Sequence, residues 1–306
     1  MKHIRCNLCG KDDFLQLVRG KDRLHNTDER LFDYVRCRNC GLVCMNPQLE
    51  PAELTRYYPA EYGPYHKEHE LLSYGPILRR IKKFFNERKS KGQTAPPQSS
   101  DRSTDAYLDF GCGGGANLEK VRRKHPQWKL FGVDVSEHAC AATRAKGFSV
   151  FHGSIDDDLG LPDNFFDHVY VSHVIEHLPD PKAALTKLHS IMKEGADLTL
   201  ATPNVGSWAF KVFRSHWYPL DAPRHLFLFS PETLSRELVA SGFKVRDISF
   251  DPEPKTIIRS TAYVAFGQST RIPALFWHVL WYVLMPVSVL LSRFGKTSIM
   301  TVVAYK

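Results

Sequence analysis

The sequence predicts an α/β fold, a doubly wound and mainly parallel sheet that follows a small metal-binding ribbon and carries an apolar insertion before its last strand. Three observations lead there. Past Asp105 short apolar runs alternate with segments of helical spacing, the pattern of strands joined by crossover helices. Residues Tyr107 to Val121 read Y-L-D-F-G-C-G-G-G-A-N-L-E-K-V, a strand, a tight glycine turn and the start of a helix. Two C-x-x-C-G knuckles precede them, at Cys6 and Cys9 and at Cys37 and Cys40.

The glycine stretch organises the rest. Gly111, Gly113 and Gly115 allow a sharp bend and a close approach of backbone to a ligand, whose polar groups would meet N–H donors at the helix start. Two cofactor classes fit, besides a plain turn without a ligand. Gly111, Gly113 and Ala116 match G-x-G-x-x-G/A with Asp134 about 20 residues on, the dinucleotide pattern. Asp109 favours the other class, because a carboxylate beside the loop attracts an ammonium group and repels a pyrophosphate. The string D-F-G-C-G-G-G, followed by F-G-V-D-V-S at Phe131 to Ser136, resembles motifs of the class I S-adenosylmethionine (SAM)-dependent methyltransferases.

That resemblance implies a seven-stranded Rossmann-like sheet of order 3-2-1-4-5-7-6 and a cofactor site at Asp109, Gly111, Cys112, Gly113 and Gly115. Asp134 would accept both ribose hydroxyls, with Val135 beside it. Ser154 and Ile155 would lie at the adenine, although the family often has an acidic residue where this chain has Ser154. Ser172, at the end of the fourth strand, completes the set. The first strand is expected in the apolar run from Tyr107 to the glycine loop, and the others at 129–133, 148–152, 167–171, 197–201, 243–250 and 298–305.

Composition sets the outer bounds. With 306 residues there is room for one ordinary domain and a small one, and a hydrophobic share of 43% builds a core. The net charge of +8 implies an anionic partner: nucleic acid, a phosphorylated substrate or an anionic membrane. The seven cysteines, four of them in the knuckles, point to metal thiolates in a reducing compartment rather than to a disulfide framework. The opening M-K-H-I-R-C lacks the apolar run of a signal peptide, which predicts a cytoplasmic protein, held on the inner membrane face if the apolar insertion docks there.

Three parts are expected: a ribbon at 1–50, a connector and linker at 51–104, and a catalytic domain at 105–306 with a hydrophobic insertion at 251–296. Cys6, Cys9, Cys37 and Cys40 can close a four-sulfur zinc site; an iron centre or free thiols are the alternatives. Four protein ligands leave no open position, so the metal is structural. The gap between knuckles holds two hairpin strands, Phe14 to Val18 and Leu31 to Val35. The ribbon, the N-P turn at Asn46 and the tyrosines after it look like the front end of bacterial methyltransferases acting on sugars and other small metabolites. Ile77 to Lys89 reads as a basic amphipathic helix, for packing or for a membrane surface, and 92–104 as a flexible linker.

After strand four comes S-H-V-I-E-H-L-P-D-P. Ligands of open parallel sheets bind outside the carboxyl ends of the strands, so His173, Glu176 and His177, at i, i+3 and i+4, would share one helical face there. In one reading Glu176 and His177 brace the loop while His173 borders the cofactor. In a second, His173 or His177 is a general base. In a third they hold a divalent ion: ubiquinone-pathway O-methyltransferases carry a similar E-x-x-E-H segment and use a metal, though His173 replaces the first glutamate. Val205 to Phe229 is rich in aromatics and predicts a lid or acceptor pocket; its P-R-H-L-F-L-F-S run resembles a family segment near the substrate, which implies His225 as a further base and Arg224 as an anion contact, packed surface residues being the alternative.

Between Arg271 and Arg293 lie 21 uncharged residues, long enough to cross a bilayer. A crossing would separate the last strand from its sheet, so a hydrophobic hairpin broken near Pro286 and dipping into one leaflet is expected; an acceptor-pocket cover or a dimer interface is the alternative. The expected activity is methyl transfer from SAM to a hydroxyl or carbon of a small or lipid-linked acceptor: a sugar, a glycan precursor, a quinone or a phenol. An RNA methyltransferase would instead show binding that weakens steeply with salt, and a non-catalytic scaffold would bind no cofactor.

Overall fold

The computed structural model describes residues 1–58, 104–155, 157, 159–268 and 272–306. The expected helix at 77–89, nearly all of the linker and Arg271 lie outside them. In chain order the elements are β1 (Phe14–Gly20), β2 (Phe32–Cys37), β3 (Val43–Met45), α1 (Pro51–Leu54), β4 (Ala106–Phe110), α2 (Ala116–Lys124), β5 (Lys129–Asp134), α3 (Glu137–Ala145), β6 (Ser149–His152), β7 (Phe166–Ser172), α4 (Pro181–Ile191) and β8 (Met192–Pro203). There follow α5 (Trp208–Phe213), β9 (Phe227–Leu228), α6 (Pro231–Ala240), β10 (Lys244–Phe250), α7 (Lys255–Phe266), α8 (Ala274–Arg293) and β11 (Ile299–Tyr305).

Among the described residues the main sheet has seven strands in the order β10-β11-β8-β7-β4-β5-β6. Counting only its own strands, this is the 3-2-1-4-5-7-6 order expected. β4 is buried along its whole length and pairs in parallel with β5 and β7, Asp109 lying opposite Gly132 and Tyr170. Strands covered on both faces read as unbroken apolar runs, which is why these were visible in the sequence. β8 is longer than expected because K-E-G at 193–195, near its start, are charged or glycine and give no strand signal.

A second sheet, β1-β2-β3-β9, gathers the knuckle region. β1 and β2 form the expected hairpin, with a register shift between Gln16 and Val18. β3 and β9 were not foreseen: at three and two residues they are too short for an alternating pattern. β9 pairs with β3 through Val43 with Leu228 and Cys44 with Phe227.

The chain forms two compact units. One comprises Met1–Pro59, Ser172–His189 and Leu200–Ala304; the other holds Ser190–Thr199, Tyr305–Lys306 and the described part of Ala60–Val171. The second unit contains a core of Tyr107, Cys112, Leu118 and Phe148, with Trp128, Leu130 and Val150 against it. In the first, Trp217, Phe210, Phe227, Phe229 and Phe243 are fully or almost fully buried. Helix starts follow their sequence signals: Ser136 caps α3 by accepting from the Ala139 N–H, and Ser230 with Thr233 forms a capping box on α6 behind Pro231.

The apolar insertion departs from the expected hairpin. α8 is one continuous helix with Pro286 inside it. Proline removes an N–H and crowds the preceding turn, but from Ala274 to Arg293 there is no Gly, Asn or Asp to reverse the chain, and the helix continues.

Candidate functional site

In the second unit the loop after β4 is an acidic bracket rather than a row of free donors. The N–H groups of Gly111 and Cys112 both donate to the Val133 carbonyl, and that of Gly113 donates to Asp134 Oδ2 at 2.8 Å. These three donors close the bend itself. Asp134, at the end of β5, also accepts the Ser136 N–H on Oδ1 at 2.9 Å. A carboxylate has about four acceptor sites, so two to the backbone leave capacity for ligand hydroxyls. Asp109 is 3% exposed, with Asn117 Nδ2 donating to its Oδ2 at 3.3 Å.

Side chains brace the bend. Thr143 Oγ1 donates to the Gly113 carbonyl and Lys146 Nζ to that of Gly114, both at 2.8 Å. Gly115 has φ +77°, and a Cβ on it would sit 2.9 Å from Thr143 Cγ2, whereas a Cβ on Gly114 would meet nothing within 4 Å. The loop is thus packed underneath at Gly115 and open at Gly114. Gly115→Ala is expected to cost about 1–3 kcal/mol, from a left-handed alanine pressed on Thr143; urea unfolding of the variant measures it. Val135 is 61% exposed, an apolar surface beside Asp134. Ile155 is buried, and the Ser154 N–H donates to Asp157 Oδ2 at 2.6 Å. Sequence reasoning missed Asp157, the carboxylate this chain brings to Ser154. The bracket fits SAM: its two carboxylates suit an ammonium and a ribose.

The first unit contains the histidines. Residues Ile175–His177 form a single 3-10 turn, not the α-helical face expected, and His173 precedes it at φ +55° with its N–H donating to the Ala201 carbonyl. Glu176 is fully buried; His173 Nδ1 lies 3.1 Å from its Oε1 and Thr202 Oγ1 donates to its Oε2 at 2.9 Å. Burial alone would raise the Glu176 carboxyl, but the hydrogen bond and charge of His173 outweigh it and hold the pKa at about 2. His173 Nδ1 is therefore the donor in that bond.

His177 Nδ1 lies 3.1 Å from the Arg224 carbonyl and 2.9 Å from the Tyr58 hydroxyl. His225 Nδ1 lies 2.8 Å from the Pro219 carbonyl. A carbonyl only accepts, so neutral His225 carries its proton on Nδ1 and leaves Nε2 unprotonated, whereas His177 Nδ1 faces both a carbonyl and a hydroxyl that can donate or accept. Burial, with His225 adding to it, drives the His177 pKa down to about 4. His225 Nε2 stands 4.0 Å from Glu176 Oε1 and 3.9 Å from Asp221 Oδ2. Glu176, His177 and His225 each offer one atom within 4.8 Å of the others.

Arg224 is corrected from its expected role. Its guanidinium is fully buried and donates to Asp22 at 2.7 Å, to Asp221 at 2.7 Å and to the Tyr57 carbonyl at 3.0 Å. It holds the loop of His225 rather than a substrate anion. Tyr34 Oη also donates to the His225 carbonyl, and the Leu226 N–H to that of Glu176. Tyr58, Thr202 and Asp221 lie outside any motif, and only contact reveals them.

Cys6, Cys9, Cys37 and Cys40 converge, with sulfur pairs 3.3 Å and 3.5 Å apart and all four within 4.8 Å of one another. Gly10 and Gly41 close the knuckles at φ +71° and +82°. As thiolates the four sulfurs would repel one another, and a dication relieves that. Arg236 Nη1 on α6 donates to the Cys40 carbonyl, and Asn7 Nδ2 to Asp180, so the knuckles are tied to the rest of their unit.

A family model described as a methyltransferase domain matches residues 69–248, more than half of the chain. The chain belongs to the methyltransferase-domain family. The match includes the glycine loop, Asp134, the H-x-x-E-H turn and His225; it begins after the four cysteines and ends before α7 and α8. The ubiquinone biosynthesis O-methyltransferase of Rhizobium johnstonii is 32% identical over 159 residues, 47% of this chain and 63% of that protein. Its namesake from Rhizobium etli is 31% identical over the same coverage. The chain thus spans less than two thirds of the length of these curated relatives. A solved SAM-dependent methyltransferase from Archaeoglobus fulgidus is 24% identical, with a TM-score of 0.47 over 78% of this chain and 94% of that one.

Proposed function

We propose that this member of the methyltransferase-domain family transfers the methyl group of SAM to a hydroxyl or acidic carbon of a small or lipid-linked acceptor. The acidic bracket carries the reading: Asp109 meets the ammonium of the methionine part, Asp134 the ribose, and exposed Val135 the adenine. SAM supplies a methyl already activated on sulfonium, which leaves the protein alignment and the removal of one proton. His225 removes it. Its Nδ1 is fixed on the Pro219 carbonyl, its Nε2 is left to take the proton, and the Glu176 and Asp221 carboxylates stand within 4.0 Å of that nitrogen. His177, with a pKa near 4, is the weaker acceptor. His173, committed to Glu176, positions that carboxylate. Relatives named for ubiquinone biosynthesis support a hydroxyl acceptor on a sparingly soluble molecule, and a quinone precursor or a lipid-linked sugar fits.

The four cysteines hold a structural zinc. A second reading of the histidine cluster follows from the 4.8 Å spacing of Glu176, His177 and His225: three protein ligands with an open position suit a divalent ion.

The experiment is transfer of labelled methyl from SAM into lipid, RNA and soluble pools of an extract. Label in the lipid or small-molecule pool supports the proposal; label in RNA alone contradicts it. His225→Gln is expected to lower kcat about 10²- to 10⁴-fold with SAM affinity unchanged, and His177→Gln less. Activity lost to a chelator and restored by a divalent ion favours the metal reading.

A further inference from the structure

We propose that α8 is a lipid-docking helix which lies in the plane of an anionic membrane surface and seats the protein there. The idea does not rest on the methyl-transfer reading. Of the segment Leu275–Arg293 only 6% is buried, and its mean hydropathy is 1.7. Leu275, Phe276, Val283 and Leu290 are 56–78% exposed, and Phe294 and Phe266, at the near ends of the flanking segments, are 68% and 65% exposed. A contiguous apolar surface of this length has a partner in water-soluble proteins.

The fold says how α8 meets that partner. The helix leaves α7 and returns to β11, which lies between β8 and β10 in the main sheet. Crossing a bilayer would put β11 on the far side from both neighbours. Twenty residues give a rod of about 30 Å, which stays on one side and lies flat. Trp277, Trp281 and Tyr282 along it are residues that favour the headgroup boundary, and Arg259 of α7 lies over the Trp277 ring at 5.2 Å.

Charge selects the occupant. After Glu253 the sequence has no Asp or Glu, and Lys255, Arg259, Arg271, Arg293 and Lys296 flank α8 along the chain. A second copy docked through α8 would bring two such cationic segments together, whereas anionic headgroups complement them.

The full-length protein is spun with vesicles of phosphatidylglycerol and phosphatidylcholine, or of phosphatidylcholine alone, beside a variant carrying Leu275→Glu, Val283→Glu and Leu290→Glu. These side chains are exposed, and circular dichroism of the variant verifies its fold. Binding to anionic vesicles at least tenfold tighter than to neutral ones, and lost at least tenfold in the variant, supports the proposal. Equal binding by the variant overturns it. So does light scattering that shows a dimer, broken by the variant, in protein that ignores vesicles. Because calorimetry with SAM is a separate readout, vesicle binding without SAM binding leaves this proposal standing while the methyl-transfer reading fails.

Discussion

Asp109→Asn is expected to weaken SAM binding roughly 10- to 100-fold, the loss of one hydrogen bond to a charged group, on the order of 1.5–3 kcal/mol. Asp109 lies next to the end of a strand buried along its length and is itself 3% exposed. Asparagine has the same shape and still accepts from Asn117, so the substitution removes charge without reshaping the loop. Adenosine, which lacks the methionine ammonium, separates the two acidic residues in isothermal calorimetry. Its affinity should survive Asp109→Asn. Asp134→Asn should weaken both ligands, because it alters the ribose contact and the brace to the Gly113 N–H. Equal losses of adenosine and SAM at Asp109 would mean that the loop had collapsed.

Cys37→Ser is expected to abolish zinc binding, lower the thermal midpoint by roughly 10 °C, and reduce kcat while leaving SAM affinity intact. Metal binding in small zinc domains is worth on the order of 10 kcal/mol of folding free energy. A third of that shifts the midpoint of a chain this size by about that amount. The effect on kcat follows from the second sheet. Cys37 ends β2, β2 pairs with β3, and β3 pairs with β9 immediately after His225. Arg224 Nη2 donates to Asp22 in the loop between β1 and β2, and Tyr34 on β2 donates to the His225 carbonyl. Loosening the knuckles thus frees the loop that fixes the tautomer of His225. Metal analysis, scanning calorimetry and single-turnover rates check the three parts; loss of zinc with an unchanged rate would remove the ribbon from catalysis.

Much of the sheet was legible because its central strands, such as Leu108 and its neighbours, are apolar on both faces and end at glycine. The four cysteines were legible because a C-x-x-C-G turn holds its own geometry. Contacts distant in sequence were not. His225 and Glu176 are 49 positions apart and meet through a two-residue strand without a pattern of its own. Arg224 looked like a substrate contact because its type fits; only the folded chain shows Asp22, Asp221 and Tyr57 closing around it. Composition revealed the apolar character of α8 but not its continuity, since Pro286 counts as a breaker in a sequence and as one missing bond in a helix.

Titration calorimetry of the intact protein with SAM and with NAD tests the central claim, that an acidic glycine bend holds an adenosyl sulfonium. One SAM bound per chain, with no heat from NAD, is the predicted result. Binding of NAD in its place, or of neither compound by folded protein, would contradict it.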